Sequence, residues 1–277
     1  MFGVLPTGIG KMFTHDRHTL FKVTVYSQGN YISLCLFNVC FFTLDCFTFT
    51  GTNPALKTMW NQQTLRRLHR IATLRVVSAF RTVSYDAACV LASMIPIRLL
   101  LLEDNVCYQR RLNGRDIRDV RKDVRPETLR LWQNAWDGAE YGRWTYQLIP
   151  FVSVWLNRQH GEVDFFLTQL LSGHGFFREY LHKRGFASSA QCPECGLAEQ
   201  TAEHVFFDCS RFEEARQAAM DVARVPLTTH NVVAEMCREE RTWIAVSQLA
   251  KYAMTVLQQR WNIEKQQPSR AITVGVG

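Results

Sequence analysis

Apolar residues recur at intervals of three and four along most of this chain, which is the spacing of one buried helix face. Successive series contain Leu65, Leu68, Ile71 and Leu74; Ala87, Ala88, Leu91 and Met94; Ile97, Leu99 to Leu102 and Val106; Leu129, Trp132 and Trp136; and Trp243, Val246, Leu249, Ala250 and Ala253. The last series predicts a long helix from near Glu239 to Trp261. The pattern therefore predicts a mainly α fold.

Residues that start or stop helices lie between these series. Ser84 is a candidate N-cap, and Pro96 and Pro126 suit the first turns of the helices that follow them. Gly173 suits a helix end, because glycine readily adopts the left-handed conformation found there. Residues 210–213 read Ser-Arg-Phe-Glu, the spacing of a capping box that would begin a helix through residue 223.

Three cysteines and one histidine form a C-x2-C-x8-H-x4-C array: Cys192, Cys195, His204 and Cys209. Three thiolates and one imidazole complete a tetrahedron around Zn²⁺ and leave no position for water, which indicates one structural zinc ion and not a hydrolytic one. Proline and glycine beside the first two ligands favour the tight turn of a zinc knuckle. The alternative is four unrelated residues in a chain with 9 Cys and 8 His.

Residues 1–53 lack the periodicity found in the rest of the chain, and we expect a poorly ordered head there. The segment 31–50 is rich in Phe, Thr and Cys and carries one charge, Asp45. Its consistently apolar part is shorter than the roughly 20 residues that span a bilayer. An acidic residue, Asp16, precedes it, which fits a signal peptide poorly. We therefore expect neither a membrane anchor nor secretion.

Composition agrees with a folded protein inside the cell. The chain has 277 residues, of which 47% are hydrophobic and 21% are charged. The cysteines outside the array show no regular disulfide framework, so a reducing nucleus or cytoplasm is expected. Cys89 and Cys107 lie on apolar helix faces and are predicted to be buried.

The positive charge is concentrated in one segment. The formal net charge of the chain is +7. Residues 64–130 contain 14 Lys and Arg against 7 Asp and Glu, so this segment accounts for the whole excess. Such a segment favours contact with the phosphates of an RNA template or target DNA. The alternative, open above all for residues 115–125, is a solvated helix with ion pairs between neighbouring turns. The candidate nucleic-acid-binding residues are Arg66, Arg67, Arg70, Arg75, Arg81, Arg110 and Arg111.

Two long blocks and the array occur in the order found in one known family. Residues 68–84 and 87–102 resemble the thumb of non-LTR retrotransposon reverse transcriptases, and residues 170–182 with 203–212 resemble their C-terminal tail. The resemblance covers roughly residues 54–262. It implies a helical thumb and linker followed by a small CCHC zinc knuckle packed on helices. The expected division is a head at 1–53, a thumb-like region at 54–125, a linker at 126–185, the knuckle at 186–212 and C-terminal helices at 213–277.

The resemblance also bears on catalysis. Polymerases of this family hold two metal ions with an Asp-Asp pair, and no Asp-Asp dipeptide occurs in the sequence. Glu103 and Asp104 are expected on a solvated helix face, and Asp86 in a first helix turn. We therefore predict no catalytic residue here and no enzymatic activity of this chain alone, although the family implies target-primed reverse transcription for a complete protein.

Two functions remain open from the sequence. The first is nucleic-acid binding by a truncated reverse transcriptase fragment. The second is a zinc-stapled structural or protein-interaction module that does not bind nucleic acid. Neither requires a small-molecule substrate, and the oligomeric state is not indicated by the sequence.

Overall fold

The computed structural model describes residues 59–111 and 116–266. The predicted head at 1–53 lies outside these ranges. Helices dominate the described residues, which contain no β-strand and one isolated bridge between Gln191 and Glu199. The α-helices are α1 Met59–Val76, α2 Tyr85–Leu91, α3 Ile97–Arg111, α4 Ile117–Asp137, α5 Arg143–Leu148, α6 Val152–Leu156, α7 Phe165–Ser172, α8 Arg178–Lys183, α9 Glu213–Ala223, α10 Val232–Arg238 and α11 Glu240–Gln266.

This architecture confirms the mainly α fold. A π-helical turn at His204–Asp208 and a 3-10 turn at Ser210–Phe212 join α8 to α9. None of the described helices combines the length and the apolar character that a membrane span requires.

Several predicted helix ends are confirmed. The Ser84 side chain accepts a hydrogen bond from the Ala87 backbone N–H at 3.2 Å and so caps α2. Helix α7 ends at Gly173, whose φ of +69° is the left-handed conformation that glycine adopts without strain. The final helix extends to Gln266, a little beyond its predicted end.

The prediction that Pro126 begins a helix is wrong. Helix α4 begins nine residues earlier, at Ile117, where the carboxylate of the N-cap residue Asp116 accepts a hydrogen bond from the Arg118 N–H at 2.8 Å, and it continues through Pro126. A proline inside a helix removes one backbone hydrogen bond. Val120, Val124, Trp132 and Trp136 are buried along one face of α4, and this continuous apolar face holds the helix together across the proline.

The predicted capping box at residues 210–213 is also wrong. The Ser210 side chain does not cap a helix; residues 210–212 form a 3-10 turn, and α9 follows at Glu213 with Phe212 as its N-cap residue. The reason lies in packing, because Phe212 is completely buried, and the turn that places its ring in the core replaces the capping arrangement.

Helices α3 and α4 pack side by side and share buried ion pairs. The Glu103 side chain, which is only 1% exposed, accepts a hydrogen bond from Arg125 Nη2 at 2.7 Å. Beside it, Arg121 Nη2 donates to Asp104 at 2.7 Å. The expectation of a solvated face is therefore wrong for Glu103, whose partners come from a different helix. Asp86 does lie in the first turn of α2, as predicted.

The main hydrophobic core is continuous from α2 to α11. Trp132, Trp155, Phe177 and Phe212 are among its largest fully buried side chains, and its members run from Val77 to Leu257. The long helix α11 contributes to this core together with α7, α9 and α10, which pack against it. Residues from the predicted thumb-like, linker, knuckle and C-terminal segments thus meet in one core, while the boundaries between those segments stay predictions.

Candidate metal centre

Four side chains converge on one point between the π-helical turn and the loop that precedes it. One ligand atom each from Cys192, Cys195, His204 and Cys209 can be chosen so that all four lie within 4.8 Å of one another. The Sγ atoms of Cys192 and Cys209 are 4.0 Å apart, and Cys195 Sγ is 3.2 Å from His204 Nε2. All three cysteines are free thiols. The array read from the sequence is therefore a real cluster in space.

A tight loop places the first two ligands. The Cys192 N–H donates to the Ala198 carbonyl at 2.8 Å, and the Gly196 N–H donates to the Cys192 carbonyl at 2.9 Å. Gly196 has a φ of +72°, and this left-handed residue lets the chain reverse directly after Cys195. The bridge between Gln191 and Glu199 closes the base of the loop. Proline, glycine and the C-x2-C spacing thus form the knuckle expected from the sequence.

The π-helical turn places the other two ligands. His204 is its first residue, and Cys209 follows directly after it, with the Cys209 N–H donating to the His204 carbonyl at 2.7 Å. Between them, Val205 and Phe206 are buried in the main core, where the Phe206 ring meets Phe177 edge to face. The turn is therefore anchored on one side by apolar packing and presents its ligands on the other.

The spacing of the donor atoms fits zinc. Zn–S bonds of about 2.3 Å in a tetrahedron place two sulfurs about 3.8 Å apart, close to the 4.0 Å between Cys192 and Cys209. Three thiolates and one imidazole fill all four positions, so the ion that they hold acts as a structural cross-link and has no open site for a reacting water. Zinc is the cofactor of this cluster.

The protonation of the ligands depends on their surroundings. Backbone N–H groups, first that of Leu197, lower the pKa of the Cys195 thiol, because they stabilise its thiolate. Burial has the opposite effect on Cys209 and raises its pKa to about 12. Burial also lowers the pKa of His204, which keeps its imidazole neutral and able to bind metal at neutral pH. Cys209 thus needs the charge of a bound ion to become a thiolate.

Sequence reasoning missed the residues that support the ligands. Gln200 is buried, and its Nε2 donates to Cys192 Sγ at 3.4 Å. The buried Arg216 donates to the Cys209 carbonyl at 3.2 Å and pairs with Glu213. Such groups orient metal ligands. A glutamine or an arginine at these positions carries no signal in the sequence, since its partner is set only by the folded structure.

His174 and His182 lie outside the cluster, as the sequence predicts. His174 Nδ1 is 3.0 Å from the Thr82 hydroxyl, and its ring stacks on Tyr180. His182 Nδ1 is 2.9 Å from the Ala187 carbonyl oxygen. Cys89 and Cys107 are completely buried free thiols, which confirms their predicted packing role.

The candidate arginines of α1 do not form a single stripe. Arg66 and Arg70 are one helical turn apart and share a face, whereas Arg67 and Arg75 lie beside the exposed Ile71 on another. Arg67, Arg75, Arg81 and Arg110 are exposed. The side chain of Arg111 lies outside the part of the chain that the structure describes.

Arg70 has a structural role. Its Nη2 donates to the backbone carbonyls of Arg81 at 2.8 Å and Val83 at 2.6 Å, and so it ties α1 to the segment before α2. Further along, the arginines of α4 are engaged with acids. Arg121 and Arg125 pair with the acids of α3, and Arg118 and Lys122 pair with Asp116 and Asp119. Lys122 with Asp119 has the i,i+3 spacing of the ion-pair alternative raised from the sequence, whereas Arg121 and Arg125 pair with acids of another helix, which that alternative did not include.

Comparison with known families identifies the region around the metal cluster. Residues 132–215 match the family described as zinc-binding in reverse transcriptase, and this range contains all four ligands. The match agrees with the chemistry of the donor set, which was established above from geometry alone.

Several curated proteins are similar to the chain. A retrovirus-related Pol polyprotein from type-1 retrotransposable element R1 4 of Nasonia vitripennis is 32% identical over 166 residues, which are 55% of this chain and 42% of that protein. The R1 2 polyprotein of the same organism is 30% identical over 58% of this chain and 43% of its own length. The R1 polyprotein of Popillia japonica is 26% identical over 53% of this chain and 57% of its own length.

The alignments thus span about half the length of these curated relatives. No solved structure matches the chain. The metal cluster, the matched family and the named relatives all agree with the resemblance that the sequence blocks indicated.

Proposed function

We propose that this chain binds nucleic acid through the arginines around α1. The chain is related to the C-terminal region of non-LTR retrotransposon reverse transcriptases. The proposed ligand is an RNA–DNA duplex or the RNA template, and the knuckle is proposed to help hold target DNA or the element's RNA. The resemblance to this family implies, for a complete protein, RNA-directed DNA synthesis by target-primed reverse transcription as the parent activity. The proposed location is the nucleus or the cytoplasm.

The observation that carries this proposal is that three arginines of α1 and Arg81, which follows that helix, lack acidic partners in the part of the chain that the structure describes. Within the described residues, no carboxylate forms an ion pair with Arg66, Arg67, Arg75 or Arg81, whereas Arg118, Arg121 and Arg125 of α4 all have acidic partners. A guanidinium that has no carboxylate partner is free to grip phosphate oxygens with two parallel hydrogen bonds. Residues 64–81 also contain no acidic residue at all.

Binding of a labelled RNA–DNA hybrid at several salt concentrations tests the proposal. Each neutralised phosphate contributes about 0.9 to the slope of log K against log salt. Replacing Arg67, Arg75 and Arg81 together by Gln is expected to lower that slope by roughly 2 to 3 and to weaken binding at low salt. Arg70 is left intact, because its loss would release the backbone at residues 81–83.

Lys251→Gln is the matched control. Lys251 is exposed on α11, and its replacement removes one positive charge, against three in the triple variant, at a position with no proposed role. A triple variant that binds the hybrid with the affinity and salt slope of the Lys251→Gln protein would contradict the proposal.

The second candidate function is a protein-interaction module. Two large apolar side chains are exposed on and beside the knuckle, Leu197 at 84% and Phe186 at 65%. Exposed apolar groups of this kind favour a protein contact. A partner whose capture does not depend on salt and is lost in Leu197→Ser, together with no binding of the hybrid, would favour this function over the first.

We also propose that this chain alone does not synthesise DNA, because no Asp-Asp pair is present in its sequence. Primer extension on an RNA template with Mg²⁺ and deoxynucleotides is the measurement. Extension by the purified chain that survives removal of contaminating polymerases would refute this part of the proposal.

A further inference from the structure

A cavity of about 470 Å³ lies between α1, the start of α2 and the end of α8. Its volume is within the range of roughly 300–1,000 Å³ that is usual for small-ligand sites. Three arginines line it: Arg66 and Arg70 from α1, and Arg184 from the C-terminus of α8. Arg184 is more than 100 positions away from Arg66 and Arg70 in the sequence, so no sequence motif could have shown this site.

The cavity carries an excess of positive charge. Its three guanidinium groups face one carboxylate, that of Asp86, and within the described residues no ion pair joins Asp86 to any of them. The remaining titratable lining groups are the phenols of Tyr85 and Tyr141, which are neutral at pH 7, and His174. Burial, with a further contribution from Arg184, lowers the pKa of His174 to about 4, so this ring is also neutral at pH 7. The site therefore has two more positive charges than negative ones.

Hydrogen bonds and ring contacts fix the wall of the cavity. The Thr82 hydroxyl lies 2.6 Å from the Tyr180 hydroxyl and 3.0 Å from His174 Nδ1. Arg66 lies over the Tyr85 ring at 4.8 Å, and Arg184 lies over the Tyr180 ring at 5.7 Å. The cationic side chains are thus stacked on aromatic rings, an arrangement that positions a guanidinium while leaving N–H donors available.

Arg70 also lines the cavity, although its side chain is held in place by hydrogen bonds to the backbone. Its Nη2 is bound to two backbone carbonyls, but a guanidinium has five N–H donors, so others remain for a ligand. At the rim, the Tyr141 side chain is exposed and presents an aromatic face. An aromatic face beside a cationic groove is the combination on which single-stranded bases stack.

We propose that this cavity binds one nucleotide of a nucleic-acid strand, with its phosphate held by Arg66, Arg70 and Arg184 and its base against Tyr141. This inference rests on the proposed function, and it assigns Arg184, which is distant in sequence from the basic segment, to the same surface as α1. Arg66 and Arg184 are binding residues in this arrangement. Arg70 both binds the ligand and holds the segment at residues 81–83 that forms the wall.

Titration with uridine 5′-monophosphate, followed by amide shifts of the zinc-loaded ¹⁵N-labelled chain, tests the site directly. Shifts are expected at Thr82, Ser172 and His174, which line the cavity. Uridine without its phosphate is expected to bind at least about tenfold more weakly, since the arginines lose their partner. Shifts confined to other residues would overturn the proposal, as would equal binding of uridine. Inorganic phosphate that binds as tightly as the nucleotide would overturn the nucleotide assignment.

The variants are Arg184→Gln and Arg66→Gln, each expected to weaken nucleotide binding about fivefold or more. Arg98→Gln is the matched control: Arg98 is an exposed arginine of α3 with no proposed role, it does not line the cavity, and its loss is expected to leave nucleotide binding unchanged. If Arg98→Gln weakens nucleotide binding as much as Arg66→Gln does, the cavity is not the site.

The two proposals fail separately. If the RNA–DNA hybrid binds with a steep salt dependence while uridine monophosphate produces no shifts, the cavity proposal is wrong and the proposed function stands. If the nucleotide binds at the cavity but the hybrid does not bind, duplex binding by the α1 arginines is wrong instead.

Discussion

Gly161 allows the backbone before α7 to lie close to the Trp243 ring of α11. Its φ is +85°, and a Cβ built there would lie 2.2 Å from the Trp243 ring. Trp243 in turn packs against Trp155, with ring centroids 5.6 Å apart. A side chain at position 161 would therefore strain the backbone and also displace a buried ring in the centre of the molecule.

Gly161→Ala is accordingly expected to be strongly destabilising. A left-handed alanine costs about 1–2 kcal/mol, and overpacking the ring adds about 1–3 kcal/mol. Gly185→Ala is the control, because Gly185 has a φ of +71° and open space around the added Cβ. Urea unfolding should show the loss at 185 to be the smaller one by about 1–3 kcal/mol. Equal losses would mean that the Trp243 contact has no energetic weight.

His69 couples the stability of helices α1 and α2 to pH. It is buried, its Nδ1 lies 3.0 Å from the Tyr85 hydroxyl, and burial lowers its pKa from 6.5 to about 4. The unfolded chain therefore takes up a proton at this histidine that the folded chain resists. The resulting stabilisation is fully present above pH 6.5 and is lost as the pH falls from 6.5 towards 4.

Between pH 7 and pH 5 this loss amounts to about 2 kcal/mol at His69. The prediction is that the unfolding free energy of His69→Gln falls by about 2 kcal/mol less than that of the wild-type protein over this interval. Protonation of the zinc ligands affects both proteins equally and cancels in the difference. His182→Gln, at an exposed position, should behave like the wild type. Identical pH profiles for His69→Gln and the wild type would show that His69 does not resist protonation.

At the scale of elements, α3 and α4 illustrate how the contribution of an ion pair to stability depends on its burial. Glu103 is enclosed between the two helices, with Arg125 at 2.7 Å and Arg121 Nε at 3.8 Å. On the outer face of α4, Arg130 pairs with Glu127 at the same distance of 2.7 Å, but both side chains are more than half exposed. The geometry is similar, and the solvent screening differs.

Arg125→Met should therefore cost about 1–3 kcal/mol, because it removes a hydrogen-bond donor from the buried Glu103 carboxylate and leaves Arg121 as its neighbouring cation. Water screens the exposed pair, which contributes little to stability, so Arg130→Met on the same helix is the matched control. Thermal unfolding of the two variants measures the difference. If Arg130→Met is the more damaging change, the burial argument is wrong.

Features of the helices that depend on residues close in the sequence were predicted correctly, and features that depend on tertiary contacts were not. Helices were predictable from local periodicity, and the Ser84 cap and the Gly173 end were predictable because their partners lie within a few residues. The helix start at Pro126 and the solvated Glu103 were wrong, because tertiary contacts decide both. The metal ligands were predictable for the same local reason, since Cys192 and Cys209 are only 17 positions apart.

In the whole molecule, the knuckle is joined to the rest of the core by both packing and charge. Cys192, Val205 and Phe206 belong to the main core, and α11 packs on the π-helical turn. Glu194, only 8% exposed at its side chain, lies 3.6 Å from Arg211 and 3.4 Å from Arg260 of α11. Arg260 Nε in turn lies 3.4 Å from Glu264 Oε1, and Glu264 also pairs with Arg178 of α8.

Loss of zinc should consequently spread into α11. Apparent zinc binding in such sites is worth about 10–16 kcal/mol at neutral pH. Chelation or Cys195→Ser is expected to remove hydrogen-exchange protection from residues 186–212 and from the part of α11 near Arg260, while α1 to α4 stay protected. Cys237→Ser, at a free thiol outside the cluster, is the control. Loss of protection limited to the knuckle would show that the ionic and apolar contacts do not transmit the change.

A spectroscopic readout accompanies this experiment. Cobalt bound by the three cysteines and His204 should produce a thiolate charge-transfer band that weakens in Cys195→Ser and persists in Cys237→Ser. A wild-type protein that binds cobalt without this band would show that the thiolates do not hold the ion.

The position of the four donors in the chain also bears on how the protein is made. All of them precede Glu240–Gln266 and are synthesised before it. Val205 and Phe206, which lie between the last two donors, are buried in the core on which that helix packs. A bound ion that holds the turn in place therefore also holds the surface on which the last helix docks, and metal supply is a condition for that docking as well as for the knuckle itself.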